Sequence, residues 1–308
     1  MKSQIRRARA VGSAGVLGGA FIVVASLQFG GVVVLGKIVT EHGLPVASFL
    51  AIRFTVAALL LFVALLGIGQ PLIASPGERV PLTVLGMAGY AVEAGLFFAA
   101  VQHGSAAAVT LLFFTYPVWV ALAALALGRG LPDWLLGAAL FSAVGGAGLV
   151  ILSSGGLDIT TAGILFAFAS AFTFAMYLTG ADAVLKRTNS LTGAAWVSAA
   201  AGVALAVFAF SSGSAQWPAG LHQWAAVIGT AVFTAGAFVC LFAGLRRLGA
   251  VRTSIVAATE PLAASLLAVA FLNERLRPGT VGGGTLILAG AVAASLARRE
   301  PPTEPPVP

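Results

Sequence analysis

The sequence predicts an all-α membrane protein of ten transmembrane helices arranged as two inverted five-helix repeats. Three observations predict it: apolar stretches that follow one another almost without interruption, cations confined to alternate connections, and an internal repeat of about 145 residues. Of 308 residues, 59% are hydrophobic and 9% charged, against roughly 25% charged in ordinary soluble domains. So few polar groups cannot cover a water-facing surface, so lipid must be the solvent for most of the chain.

About twenty apolar residues, each rising 1.5 Å, cross the hydrocarbon core of a bilayer. The first such segment, near residues 11 to 36, follows the basic stretch Lys2 to Arg9. Its apolar part is too long for a signal-peptide core and further spans follow, so it reads as a retained helix. Gly43 and Pro45 break the chain before the second span, 45 to 68, and Pro71 and Pro76 before the third, 80 to 102. The fourth runs from 105 to 127, and Pro132 opens the fifth, 132 to 153. Spans six and seven are expected at 160 to 184 and 192 to 211, and Pro218 precedes the eighth at 222 to 245. The ninth covers 250 to 272, and Pro278 precedes the tenth at 279 to 297. Two repeats follow, 1–154 and 155–299, with the proline-rich residues 300–308 as a short disordered cytoplasmic tail.

Lys and Arg are retained on the cytoplasmic side of a membrane, which sets the orientation. Ten spans and a cytoplasmic N-terminus gather Lys2, Arg6, Arg7, Arg9, Arg79, Arg129, Lys186, Arg187, Arg246, Arg247, Arg252, Arg298 and Arg299 on one side. Only Lys37, Arg275 and Arg277 fall on the other. One missed helix would scramble this imbalance, so both termini are expected in the cytoplasm, of a multi-pass inner-membrane protein.

The net charge of +7 does not point to nucleic acid, because the cations stand singly or in pairs between apolar runs instead of forming a stripe. A single cysteine, Cys240, excludes an internal disulfide and any multi-cysteine metal site. His42, His103 and His222 fall near span edges in separate segments, no glycine cluster has the form of a nucleotide-binding loop, and neither a metal nor a cofactor is expected.

The repeat is visible residue by residue. Ala25-Ser26 recurs as Ala169-Ser170, and Leu85-Gly86 as Ile228-Gly229. The run from Gly104 through Pro117 to Leu131 matches Gly249 through Pro261 to Leu276, and Gly137 and Gly145 match Gly282 and Gly290. Five spans per copy is an odd number, so the second copy enters the membrane upside down. Many secondary transporters share that architecture, with the substrate site near the midplane between the halves.

From about Val11 to Arg298 the chain resembles the drug/metabolite transporter superfamily, specifically its ten-helix EamA type. The resemblance is carried by Thr259-Glu260-Pro261, by the run from Asn273 to Leu276, by the glycine-rich last span, by Arg53-Phe54 and by Thr115-Tyr116-Pro117. Gly128-Arg129 departs from the Gly-Glu common in the family. The resemblance implies an exporter or exchanger of amino acids, other metabolites or drugs.

Ionisable groups at membrane depth cost several kcal/mol unless paired or hydrated, which makes Arg53, Glu93 and Glu260 candidate charge or coupling groups. Arg53 lies about 12 Å from the outer end of its span and Glu93 about 20 Å from the inner end of its own. Those depths overlap, so the two could pair, either as a structural ion pair or at the border of a cavity. Pro261 cannot donate to the Ala257 carbonyl and should break the ninth span beside Glu260; Pro117 should do the same in the fourth. Glu260 then reads as a substrate-amine or proton site, or as a structural residue bonded to a neighbouring helix.

Ser170, Thr173 and Tyr177 share one face of the sixth span, and Thr230 and Thr234 one face of the eighth. With Gln28, Tyr116 and Trp119 they are candidate substrate-binding residues, though hydroxyls between helices also serve as packing bonds. Phe97 and Phe113 would extend an aromatic lining. Ala138, Ser142 and Gly146, and Thr285, Ala289 and Ala293, form small-residue stripes for close helix packing, within the fold or between protomers. Trp134, Trp217 and Trp224 sit where interfacial anchors belong. The expectation is a non-enzymatic secondary transporter exporting amino acids or related small metabolites, as a monomer or homodimer, with protons as one candidate coupling ion. Efflux of drugs or toxic compounds is the alternative substrate class, and a membrane-embedded enzyme the alternative of another kind.

Overall fold

The computed structural model describes residues 2–104, 106–128, 133–154, 159–272 and 277–296. They form α1 (Lys2–Glu41), α2 (Val46–Gly67), α3 (Arg79–Val101), α4a (Ala106–Phe113), α4b (Tyr116–Ala126), α5 (Trp134–Ser154) and α6 (Thr161–Val184). The second part holds α7 (Ser190–Ser211), α8 (Gly220–Leu248), α9a (Ala250–Ala257), α9b (Glu260–Leu272) and α10 (Pro278–Leu296). Arg129, Pro132, the run from Asn273 to Leu276, Arg298, Arg299 and the tail 300–308 lie outside the described residues.

Among the described residues, nine segments are long and apolar enough to cross a membrane. The remaining expected span, 250 to 272, is present as α9a and α9b laid end to end, each too short to cross alone. Hydrocarbon offers backbone groups no hydrogen bonds, so helices that satisfy their own are the structure such segments must take. Polar side chains close the exposed ends. Thr160 Oγ1 accepts from the Gly163 N–H at 3.2 Å and Asn189 Oδ1 from the Thr192 N–H at 2.8 Å, satisfying first-turn donors of α6 and α7. α8 ends at Gly249, whose φ of +79° suits glycine, with Arg246 and Arg247 in its last turn where the helix dipole favours cations.

α1 packs chiefly along α8, and α3 along α6. In the repeat α1 corresponds to α6 and α3 to α8, so these two contacts are counterparts. α2 packs on α7 and α5 on α10, each an element against its own counterpart. The α5–α10 contact is close because it is made by glycines. A methyl group added to Gly146 would lie 2.6 Å from the Gly283 carbonyl oxygen, and Ser142 Oγ donates to the Leu286 carbonyl at 2.8 Å. The contacting face of α10 is buried Gly283, Ile287 and Gly290, two residues out of phase with the expected stripe, and Thr285 and Ala289 face outward. Small residues occupy both faces of α10, so composition alone does not identify the packed one.

One end of the bundle is tied through connections. The Glu78 carboxylate, before α3, accepts the N–H groups of Arg187 and Thr188 at 2.8 Å and of Lys186 at 3.2 Å, before α7. Burial pushes this carboxyl up, but hydrogen bonds from Thr188, Arg187 and Lys186 outweigh it and hold the group below the usual glutamate range. Trp196 Nε1 donates to the Leu72 carbonyl at 2.9 Å, Thr192 Oγ1 to that of Pro71 at 2.7 Å, and Arg246 of α8 to that of Thr188. At the opposite end Ser48 Oγ donates to the Ser214 carbonyl at 2.6 Å, and Trp217 stacks on Trp224 with ring centroids 6.3 Å apart.

Candidate functional site

Proline places two matching breaks in the bundle. Pro117 and Pro261 are the second residues of α4b and α9b, and neither can donate to the carbonyl four residues back. Before each, the chain tightens to bonds spanning three residues: Thr115 N–H to Leu112 at 3.2 Å, and Thr259 N–H to Val256 at 3.1 Å. The two threonine hydroxyls reinforce the same carbonyls, at 2.6 and 2.8 Å. At the second break the Ala257 carbonyl, released by Pro261, receives Ser26 Oγ of α1 at 3.5 Å.

The first residue after each break differs. Tyr116 is buried and its hydroxyl donates across to the Ser254 carbonyl of α9a at 3.4 Å. Glu260 occupies the equivalent place, half-buried, and takes part in no hydrogen bond or ion pair among the described residues. It lies close enough to Tyr116, Tyr90 and Glu93 to share an electrostatic field with them.

Those residues belong to one continuous aromatic column. Tyr116 meets Phe174 of α6 at 4.8 Å, Phe174 stacks on Tyr177 at 5.9 Å, and Tyr177 meets Tyr90 at 5.3 Å. Tyr90 in turn contacts Phe54 of α2 at 5.3 Å and Phe238 of α8 at 4.7 Å, so the column draws on both repeats. Tyr90 is delivered by a local irregularity: residues Leu85–Tyr90 of α3 form wider π-type turns, a feature frequent at functional sites. Glu93 lies one turn further along α3, buried, with Ser170 Oγ donating to its carboxylate at 3.3 Å.

Arg53 is 5% exposed, and its guanidinium rests 4.4 Å from the centroid of Phe54 and 5.5 Å from that of Phe49. Its Nε is buried without a hydrogen-bond partner, as is the hydroxyl of Tyr177. The depth argument allowed an Arg53–Glu93 pair. The structure instead seats the cation on rings and the carboxylate on Ser170, with no direct ion pair between them.

Arg53, Glu93, Tyr116, Ser170, Tyr177 and Glu260 are thus gathered around the column, and so is Phe113, whose ring lies 5.3 Å from Tyr116 and 5.4 Å from Phe174. Thr173, Thr230 and Thr234 donate within their own helices, at 2.7 Å each. Trp119 packs against Phe172, which is 47% exposed on the outer surface. Gln28 presses on Gly236 of α8, leaving no room for a larger residue there, and its Oε1 is buried without a hydrogen-bond partner. On the far side of Gly236, an apolar cleft of about 410 Å³ between α2 and α8 is lined by Leu60, Leu61, Val232 and Cys240. Tyr90 was not among the sequence candidates. A signal existed: the chain has three tyrosines, all inside spans instead of at their ends, and all three meet here.

A family model described as the EamA-like transporter family matches the chain twice, over residues 16–152 and 161–296. An uncharacterized inner membrane transporter of Salmonella typhimurium, YicL, is 24% identical over 292 residues, covering 90% of this chain and 95% of that protein. A solved crystal structure superposes with a TM-score of 0.76 at 20% identity, over 92% of this chain and 97% of the other.

Proposed function

Since the chain belongs to the EamA-like transporter family, we propose that it exports amino acids or related amphipathic metabolites by alternating access between two inverted halves, with both termini cytoplasmic. One observation carries this reading: Arg53, Glu93 and Glu260 surround an aromatic column within the membrane and, among the described residues, none of them is ion-paired. Unpaired charge in hydrocarbon costs several kcal/mol, so the arrangement calls for a solute that completes it. A carboxylate answers the Arg53 guanidinium, an ammonium answers Glu260 or Glu93, and an apolar side chain lies against Tyr90, Tyr116 and Phe238. Proton exchange on the two carboxylates supplies the drive, because a carboxyl that releases the substrate amine can take up a proton in its place.

Uptake of labelled amino acids into proteoliposomes, with and without a proton gradient, tests the reading. Transport of a subset of the panel, with a raised KM in Arg53→Gln and a lowered rate in Glu260→Gln, is expected. Silence across the panel, or variants that match the parent, would refute it. Efflux of cationic drugs is the second reading, favoured by two carboxylates and a wall of rings against a single guanidinium. It requires that Arg53→Gln leave transport of an aromatic cation intact.

A further inference from the structure

Both ends of the bundle are closed by bonds that cross from one repeat to the other, and the two closures are counterparts. Ser48 and Thr192 are the third residues of α2 and α7. Thr192 Oγ1 donates at 2.7 Å to the carbonyl of Pro71, just beyond the end of α2, and Ser48 Oγ at 2.6 Å to that of Ser214, just beyond the end of α7. Each helix start is thus fastened to the connection that follows the other helix, once at each end of the bundle.

The closures differ in chemistry. At the Ser48 end the accompanying bonds come from uncharged groups: the Gln216 N–H donates to Ser48 Oγ at 2.9 Å, and Gln223 Nε2 to the His42 carbonyl at 2.8 Å. The other end adds the buried Glu78, whose two carboxylate oxygens take the backbone N–H groups of Lys186, Arg187 and Thr188. Hydrogen bonds to an ionised acceptor are roughly twice as strong as neutral ones. The Ser75 N–H also donates to Thr188 Oγ1 at 2.9 Å, and Arg187 Nη2 to the Pro76 carbonyl at 2.6 Å. The helices gathered by this closure are those that carry the column. Glu78 immediately precedes α3, which holds Tyr90; Lys186 and Arg187 follow α6, which holds Tyr177; Arg246, bonded to the Thr188 carbonyl, lies one turn beyond Phe242 of α8. α3 lies in the first matched segment, and α6 and α8 lie in the second. One repeat cannot swing away from the other at this end while the Glu78 bonds hold.

We propose that Glu78 is the latch of a gate: its bonds to residues 186–188 hold this face of the bundle shut beyond the aromatic column, and they break when a solute passes between the column and that face. The Ser48–Ser214 bond is the lighter latch of the opposite face. The proposal rests on the alternating-access reading, since only a movement that opens one face at a time makes such a bond a gate.

Ala94 is buried and shares the α3 face of Tyr90, four residues away. Ala94→Cys, in a Cys240→Ser background of the full chain, is modified with a membrane-impermeant methanethiosulfonate in right-side-out and inside-out vesicles. Val80→Cys, at a position 73% exposed beside Glu78, identifies the vesicles that present the Glu78 face. Glu78→Gln is expected to speed modification about tenfold from that face and to leave the rate from the other face unchanged. Thr192→Val, which keeps the side-chain shape and removes only the hydroxyl bond, should give about threefold from the same face, and Ser48→Ala a similar gain from the opposite face alone. Equal gains from both faces would mean a loosened fold, and they overturn the proposal, as does the absence of any gain. Uptake of labelled amino acids is measured in proteoliposomes of the same proteins. One-faced gains without uptake strike the amino-acid reading and leave the latch standing; uptake with equal gains from both faces strikes the latch alone.

Discussion

The breaks in α4 and α9 are built from the same parts and carry different chemistry. Both have a threonine whose hydroxyl closes the last turn and a proline two residues later. Between these, Tyr116 completes a bond to the opposite repeat, whereas Glu260 has no hydrogen-bond or ion-pair partner among the described residues. The neighbouring serines have diverged in step. Ser26 donates to the carbonyl that Pro261 releases, whereas its counterpart Ser170 donates to the Glu93 carboxylate instead. The repeat therefore supplies a pair of equivalent openings, and single substitutions within it decide which opening braces the molecule and which offers a charge.

If that division holds, the largest effect falls on Glu260. In proteoliposomes driven by a proton gradient, Glu260→Gln should lower the initial rate at least about tenfold, some 1.4 kcal/mol, and flatten its pH dependence, with Tyr116→Phe staying within about twofold. Equal losses in both variants would erase the distinction. Next in size, Arg53→Gln keeps a donor but removes its charge, which at about 1 kcal/mol should raise KM about fivefold at nearly constant maximal rate. A maximal rate that falls with unchanged KM would place Arg53 in the conformational step instead.

Glu78 sharpens the comparison from outside both breaks. Its hydrogen bonds favour the charged form, so its value in the folded protein lies below the ordinary 4.5, and the stabilisation is complete above that value and lost as pH falls through the lower folded one. Melting curves of the parent and Glu78→Gln should therefore be separated at neutral pH, the variant lower, and converge as the pH falls through the lowered folded value. A constant gap across that range would show that the carboxylate charge is irrelevant to the tie. The smallest effect belongs to the brace: at 3.4 Å the Tyr116 bond is long, and Tyr116→Phe should cost no more than about 0.5–1 kcal/mol of thermal stability. A larger loss would make Tyr116 a main support of the seam.

Helix positions and the two breaks were legible in the sequence because they depend on local facts: apolar length, and a proline that has no N–H to give. Depth along a helix was legible too, since each residue adds a fixed rise. Azimuth was not. Arg53 and Glu93 share a depth, yet Phe54 and Ser170 claimed them separately. Tyr90 escaped because the π-type turns of α3 rotate the residues beyond them out of ordinary helical register. Those turns arise where Gly86 lies against α7, so close that a methyl group would meet the Val197 carbonyl oxygen at 2.6 Å, a contact between residues more than a hundred apart.

The cleft between α2 and α8 ties this protein to its host bilayer. A gap of about 410 Å³ with rims at Leu60 and Val232 is filled by acyl chains whenever it faces hydrocarbon. For α8 to lean onto α2, those chains must be squeezed out into their neighbours, so lateral pressure and chain order in the membrane weigh on every such movement. Stiff, saturated lipids would penalise each reopening, and fluid ones would ease it.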